Sequence, residues 1–238
     1  MCLLKIAGLT DSEAGPAAWR GTGVDRALTK VAFDPLLDND SITKQAFESF
    51  DAEHEKALQD YGDKVEKERR TIPNYIEAAA DFYRDLGVPE EQQGKVTLMV
   101  DEIPVPFIGY FDLLYTDKVR DIKTTGRAVN SLTASASRQV SIYATATKRE
   151  PWIDYVTPKQ INSHKVENVD MWLRQVQLAA KSLERILSYS DDTLECCQLV
   201  YPDLDHWMWN DAMKAIAKDV WKMEKNYELS NSNIEFAF

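Results

Sequence analysis

The sequence predicts an α/β fold: a mixed β-sheet flanked by helices, with helical extensions at both ends. Three observations lead there. The β-prone runs gather in the middle of the chain, between 96 and 166, and helix-spaced apolar stripes stand on either side of them. A helix-like segment interrupts those runs, so the order is helices, a three-stranded meander, a helix, a strand, and helices again. The 238 residues, 44% of them hydrophobic, suffice for one sizeable core with helical additions. One domain over 1–238 follows, with its core at about 21–187 and a helical extension at 188–238.

Gly21 to Thr29 reads as a helix start. Asp34 to Asp40, with Pro35 and three aspartates, reads as a loop. Ser41 is placed to cap a long helix to about Arg70, with Phe47, Phe50, Ala57, Leu58 and Tyr61 as its apolar stripe. A second helix covers Asn74 to Leu86, where Ile76, Ala79, Ala80 and Tyr83 keep helical spacing and Gly87 and Pro89 stop it. Val96–Val100 and Phe107–Tyr115 read as strands, and the turn Thr116-Asp117-Lys118 leads into a returning strand, Val119–Thr124. Ser131–Thr147 reads as a helix, Trp152–Thr157 as a strand, and Ile161–Val166 as a short strand beside it. Val169–Leu187 is an amphipathic helix, and Leu204–Tyr227 a final one.

Composition narrows the function classes. Three cysteines, Cys2, Cys196 and Cys197, form neither a disulfide framework nor a zinc or iron–sulfur pattern. The three histidines, His54, His164 and His206, are too scattered in sequence for a His-rich metal site. No run of about 18 apolar residues predicts a membrane span. The N-terminus lacks a signal-peptide core, so a cytoplasmic protein is the simplest reading. The net charge of -11 argues against a nucleic-acid partner as a global sum. Locally the balance reverses: between Lys118 and Arg149 seven basic residues stand against one acid, Asp121. The cluster Lys64, Lys67, Arg69 and Arg70 is interleaved with acids and reads as a solvated helix face. Trp207, Trp209 and Trp221 read as packing of the last helix, with base stacking as the alternative.

The chemistry concentrates in Gly109-Tyr110-Phe111-Asp112 and Asp121-Ile122-Lys123. The two aspartates stand on neighbouring strands across a hairpin, which can bring both carboxylates to one point at a sheet edge. Two hard oxygen donors with room for water suit Mg2+ or Mn2+. Lys123 is two residues beyond Asp121 and leaves the same strand face, placed to hold a water or offset charge on a phosphate. Ile122 faces the core, its carbonyl still near the metal. A helix bearing Gln139 and Tyr143 on one face follows.

The order G-x-x-D, D-x-K-T, Q-x-x-x-Y resembles the RecB-like branch of the PD-(D/E)xK nuclease superfamily, which includes phage recombination exonucleases. Gly21-Thr22-Gly23-Val24-Asp25 is similar to that family's first motif, with Asp25 where most members carry histidine. Glu102, or equally Asp101, resembles an acidic position ahead of G-x-x-D. The resemblance spans Gly21 to Thr157 and implies a restriction-endonuclease-like sheet. It implies that Asp112 and Asp121 ligate the metal, with Asp25, the Ile122 carbonyl and Glu102 completing the set. It further implies that Lys123 is the catalytic lysine, that Gln139 shares in catalysis, and that Gln139 and Tyr143 touch DNA. By position alone, Arg138, Thr124 and Ser135 are candidate phosphate contacts. The expected activity is exonucleolytic hydrolysis of duplex DNA ends in recombination or repair, in a phage host's cytoplasm if the chain is phage-encoded. A second copy of the chain or a single-strand annealing protein is the expected further partner. The alternatives are a structure-specific or restriction-type endonuclease and a non-catalytic DNA-binding protein of the same fold.

Overall fold

The computed structural model describes residues 2–9, 14–58, 60–206 and 209–223. They form two compact units, one of residues 13–181 and one joining 1–12 to 182–238. The first helix, α1 (Cys2–Ile6), belongs to the smaller unit.

The larger unit begins with α2 (Pro16–Phe33). The sequence places its start at Gly21, but Pro16, whose fixed φ suits a first helical residue, begins it five residues earlier. Gly21 to Asp25 therefore lie within the helix. Gly23 is there for contact: a Cβ on it would stand 2.6 Å from the Ala46 carbonyl oxygen of α3 (Asn39–His54). Asp38, not Ser41, caps α3, and its carboxylate accepts the Ser41 amide at 2.7 Å. The expected helix to Arg70 is broken after His54. Gly62 adopts φ 53° ahead of a separate short helix, α4 (Asp63–Arg69). Helix α5 (Ile72–Asp85) buries the predicted stripe of Ile76, Ala79, Ala80 and Tyr83.

Among the described residues seven strands follow: β1 (Glu91–Gln92), β2 (Lys95–Leu98), β3 (Phe107–Tyr110), β4 (Leu113–Leu114), β5 (Lys118–Thr124), β6 (Glu150–Val156) and β7 (Ile161–Lys165). Five form a mixed sheet in the order β1-β4-β5-β6-β7. Only β5 and β6 in it run parallel, joined through α6 (Ala134–Thr147), as parallel pairing requires a crossover. Strands β2 and β3 pair separately, antiparallel.

The expected strand Phe107–Tyr115 is thus divided between two sheets. The Phe111 amide still donates to Gly94, in line with the β2–β3 pair, while the Asp112 amide donates to Arg120 on β5. Asp112 marks the point where the chain passes from one sheet to the other. The predicted hairpin holds from there, with Leu113 opposite Arg120.

Alternation along β5 sorts its side chains. Val119 joins a cluster with Val140, Tyr143 and Ala144 of α6. Ile122 joins the opposite cluster, built on α2, α3 and α5. The sheet is therefore covered by helices on both faces. On the Ile122 side Arg120 forms a buried bidentate pair with Asp154 of β6 at 2.9 and 2.8 Å, and Tyr83 and Ser163 hydrogen-bond into it.

Helix α7 (Val169–Leu187) matches its predicted span, and its residues from 182 onward count with the smaller unit. That unit also holds α8 (Thr193–Cys197) and α9 (Asp211–Val220) around Leu3, Leu4, Cys197 and Ala217. The final helix is shorter than expected because Asn210 caps it, accepting the Met213 amide at 2.8 Å; residues 224–227 lie outside the described residues. Trp209 and Trp221 pack against this cluster, and the Trp221 indole donates to the Val200 carbonyl, so both serve packing; Trp207 lies outside the described residues. Cys196 and Cys197 are buried and free. Among the described residues no helix is long and apolar enough to cross a membrane.

Candidate active site

Asp121 and Lys123 leave one face of β5, two residues apart, and their side chains form an ion pair at 2.8 Å. Asp121 is 2% exposed, whereas the Lys123 side chain is 35% exposed, so the pair opens toward solvent through the amine. Asp112, on the neighbouring chain segment, is held by the β5 backbone: its Oδ2 accepts the Ile122 amide at 2.6 Å. Ile122 itself is turned into the core.

Asp25 arrives from the middle of α2. The link is Gln93, which no motif singled out. Its Nε2 donates to Asp25 Oδ2 at 3.1 Å and to Asp112 Oδ1 at 3.3 Å. Gln93 sits just past β1 with φ 52°, and its own amide donates to the Asp112 carbonyl at 2.9 Å. The signal that could have found it is its place before Gly94, in a polar stretch between a helix and a strand, but that signal is weak.

The electrostatics follow from packing acids together away from water. Burial, with repulsion from Asp121 and against the Gln93 hydrogen bond, raises Asp25 from the usual 3.8 to about 7. Burial and then repulsion from Asp25 and Asp121 push Asp112 well above the carboxylate range. Burial also raises Asp121, against the pull of Lys123. Desolvation draws the Lys123 ammonium down, but Asp121, helped by Asp112 and Tyr143, outweighs it and leaves its pKa raised.

Among the described residues no three His, Cys, Asp or Glu side chains stand as a ready-made metal cage. The donor set nevertheless fits a hard divalent cation. Asp25 Oδ1 is buried with no hydrogen-bond partner, and Asp121 Oδ2 has the Lys123 ammonium and no aligned hydrogen bond. Buried carboxylate oxygens left in this way favour a cation beside them. Magnesium is commonly held by one or two carboxylates, with water and phosphate oxygens filling the rest.

The other predicted residues are placed as follows. On α6, Gln139 donates to the Tyr143 hydroxyl at 2.6 Å, and the Tyr143 phenol feels the fields of Asp121, Lys123 and Asp112. Gly109 makes room for that ring, since a Cβ there would stand 2.4 Å from Tyr143 Cε1. The glycine of G-x-x-D thus seats the tyrosine of Q-x-x-x-Y. Thr124, half-buried, ends β5 against Gly21. Arg138 is half-buried and donates to Gln175 at 3.1 Å. Ser135 is exposed in the first turn of α6. Glu102 is exposed in the loop after β2, with φ 66°, and pairs with Lys181. It is Gln93, not Glu102, that hydrogen-bonds to Asp25 and Asp112.

The basic segment is less free than its charge suggests. Arg120 is sealed against Asp154, Lys118 pairs with Asp117, and Arg149 with Glu90.

No protein-family model matches the sequence, and no curated protein matches it. Among solved structures, the chain is similar to a crystal structure from Eubacterium rectale named "putative exonuclease". The two share 13% identity with a TM-score of 0.53, over 90% of this chain and 79% of that one. At that identity the likeness concerns the fold: a mixed sheet flanked by helices. A second match, SSO0001, shares 12% identity over 85% of this chain and 95% of that one, and its TM-score of 0.36 carries no argument.

Proposed function

We propose that this protein is a metal-dependent nuclease that hydrolyses DNA phosphodiester bonds, of the RecB-like PD-(D/E)xK type and built on a restriction-endonuclease-like sheet. One observation carries the reading: an aspartate and a lysine paired at 2.8 Å on one strand face, with Asp112 anchored beside them. A purely structural ion pair has no need of a second and third buried acid in its field. The resemblance in fold to a protein named as an exonuclease supports the same reading.

In this reading Asp112, Asp121 and Asp25 hold Mg2+ or Mn2+, with the Ile122 carbonyl as a further donor. The ion supplies Lewis-acid polarisation of the phosphate and a lowered pKa for a bound water. Lys123 directs its ammonium at the reacting phosphate, orienting the attacking water or offsetting charge as it develops. Gln139 and Tyr143 hold a phosphate oxygen or water on the α6 side. Arg138, Thr124 and Ser135 remain candidate phosphate contacts, with DNA as the partner. Action on duplex ends, in recombination or repair in the cytoplasm, is the more specific form of the proposal.

The test is digestion of matched linear and circular duplexes with Mn2+. Loss of the linear form alone is the expected result. Cutting of circles would make the enzyme an endonuclease. Intact DNA of both forms, from folded protein, would leave a DNA-binding role and reject hydrolysis.

A further inference from the structure

Beside the carboxylates lies a cavity of about 550 Å³ between α2 and α3 that the motif residues do not line. Arg26 and Lys30 enter it from α2, Gln45, Glu48 and Ser49 from α3, and Gln93 forms the wall toward the site. The same Gln93 hydrogen-bonds to Asp25 and Asp112. The cavity and the candidate metal site therefore share a side chain. They also share a field, since Arg26 lowers the pKa of Asp25.

The two cations carry the argument. Arg26 donates to the Ser49 hydroxyl at 2.9 Å, and Lys30 to the Gln45 side-chain carbonyl at 2.6 Å. Neither is ion-paired among the described residues, unlike Arg69, Arg120 and Arg149 elsewhere in the chain. Neutral oxygens hold both cations in place without cancelling their charge. With Glu48 as the single carboxylate in the lining, the cavity is net positive, on a protein of net charge -11. Its volume falls in the range of small-ligand sites, roughly 300 to 1,000 Å³, enough for one nucleotide.

The geometry points to this cavity as a nucleotide subsite: it seats the sugar-phosphate next to the scissile bond, with Arg26 and Lys30 on the phosphate. The assignment rests on the nuclease reading for the identity of the ligand. Arg26, Lys30 and Ser49 are side chains of the kinds that bond phosphate oxygens, and such contacts carry no sequence information.

The experiment measures binding of a fluorescein-labelled single-stranded DNA oligonucleotide by anisotropy, in EDTA and across a salt series. It compares the unmodified protein with Arg26→Ala/Lys30→Ala and with Glu48→Gln. The double variant should bind at least about tenfold more weakly and lose about 0.7 in salt slope for each phosphate contact removed. Glu48→Gln should tighten binding. The circular dichroism spectrum should stay unchanged in both variants. Unchanged affinity and slope in a folded double variant would overturn the subsite, whether or not the protein cuts DNA. Weakened binding by that variant, in a protein that never cuts, would keep the subsite and reject the nuclease reading instead.

Discussion

Asp25, Asp112 and Asp121 each bear a pKa raised chiefly by burial, and this has a measurable consequence without any substrate. A carboxyl whose folded pKa is raised binds more protons in the native state than in the unfolded one. Stability therefore falls as pH rises from the unfolded value, 3.8, through the folded one, about 7 for Asp25. In EDTA the melting temperature should drop between about pH 4 and pH 7 on this account. Saturating Mn2+ should flatten or reverse the drop, since the ion binds the ionised acids of the native state. A melting temperature that rises over the same interval in EDTA would show that these acids are not stacked against one another. At this scale the sequence was informative where spacing alone decides: Asp121 and Lys123 had to share a strand face. It was silent on Gln93, because a lone glutamine linking two carboxylates has no periodicity to betray it.

Two contacts between elements hold the site in shape. Gly109 lies under the Tyr143 ring, so Gly109→Ala would drive a methyl into it at 2.4 Å. That substitution should cost about 1–3 kcal/mol by overpacking, read as a lower midpoint in urea, and should disturb the Gln139–Tyr143 hydrogen bond. Beneath the sheet, Arg120 and Asp154 are 3% and 0% exposed and satisfy each other. Asp154→Ala leaves a guanidinium buried without its partner and should cost about 3–5 kcal/mol, checked by chemical unfolding. Loss below about 1 kcal/mol would mean the arginine escapes to water. Neither pairing is local in sequence. Gly109 reads as the first residue of a motif, and its packing role appears only when α6 crosses β3. Arg120 reads as one of seven basic residues, and only the parallel register of β5 with β6 sets it against Asp154. The helices α5 and α7 were legible because their apolar residues recur every three or four positions, a stripe that α5 buries. The interruption between α3 and α4 was not, since the apolar residues Ala57 and Tyr61 carry the helical spacing on past the end of α3 at His54.

At the level of the whole molecule, the mixed sheet with helices on both faces was legible from the order of elements. The division of 107–115 between two sheets was not, because both halves are equally β-prone. That division has a use: it sets Asp112 where the chain changes sheets, next to β5. Net charge was the poorest guide at this scale. An overall -11 coexists with a cavity bearing Arg26 and Lys30, while several basic residues of the 118–149 segment are spent on internal pairs.

The most direct measurement is cleavage of an end-labelled linear duplex in Mn2+ by the unmodified chain, Lys123→Ala and Asp121→Asn, with Mn2+ affinity determined alongside. Lys123→Ala should lose at least about 100-fold in rate while keeping the ion and the fold, and Asp121→Asn should lose both cleavage and ion. Wild-type rates in both variants would contradict the account.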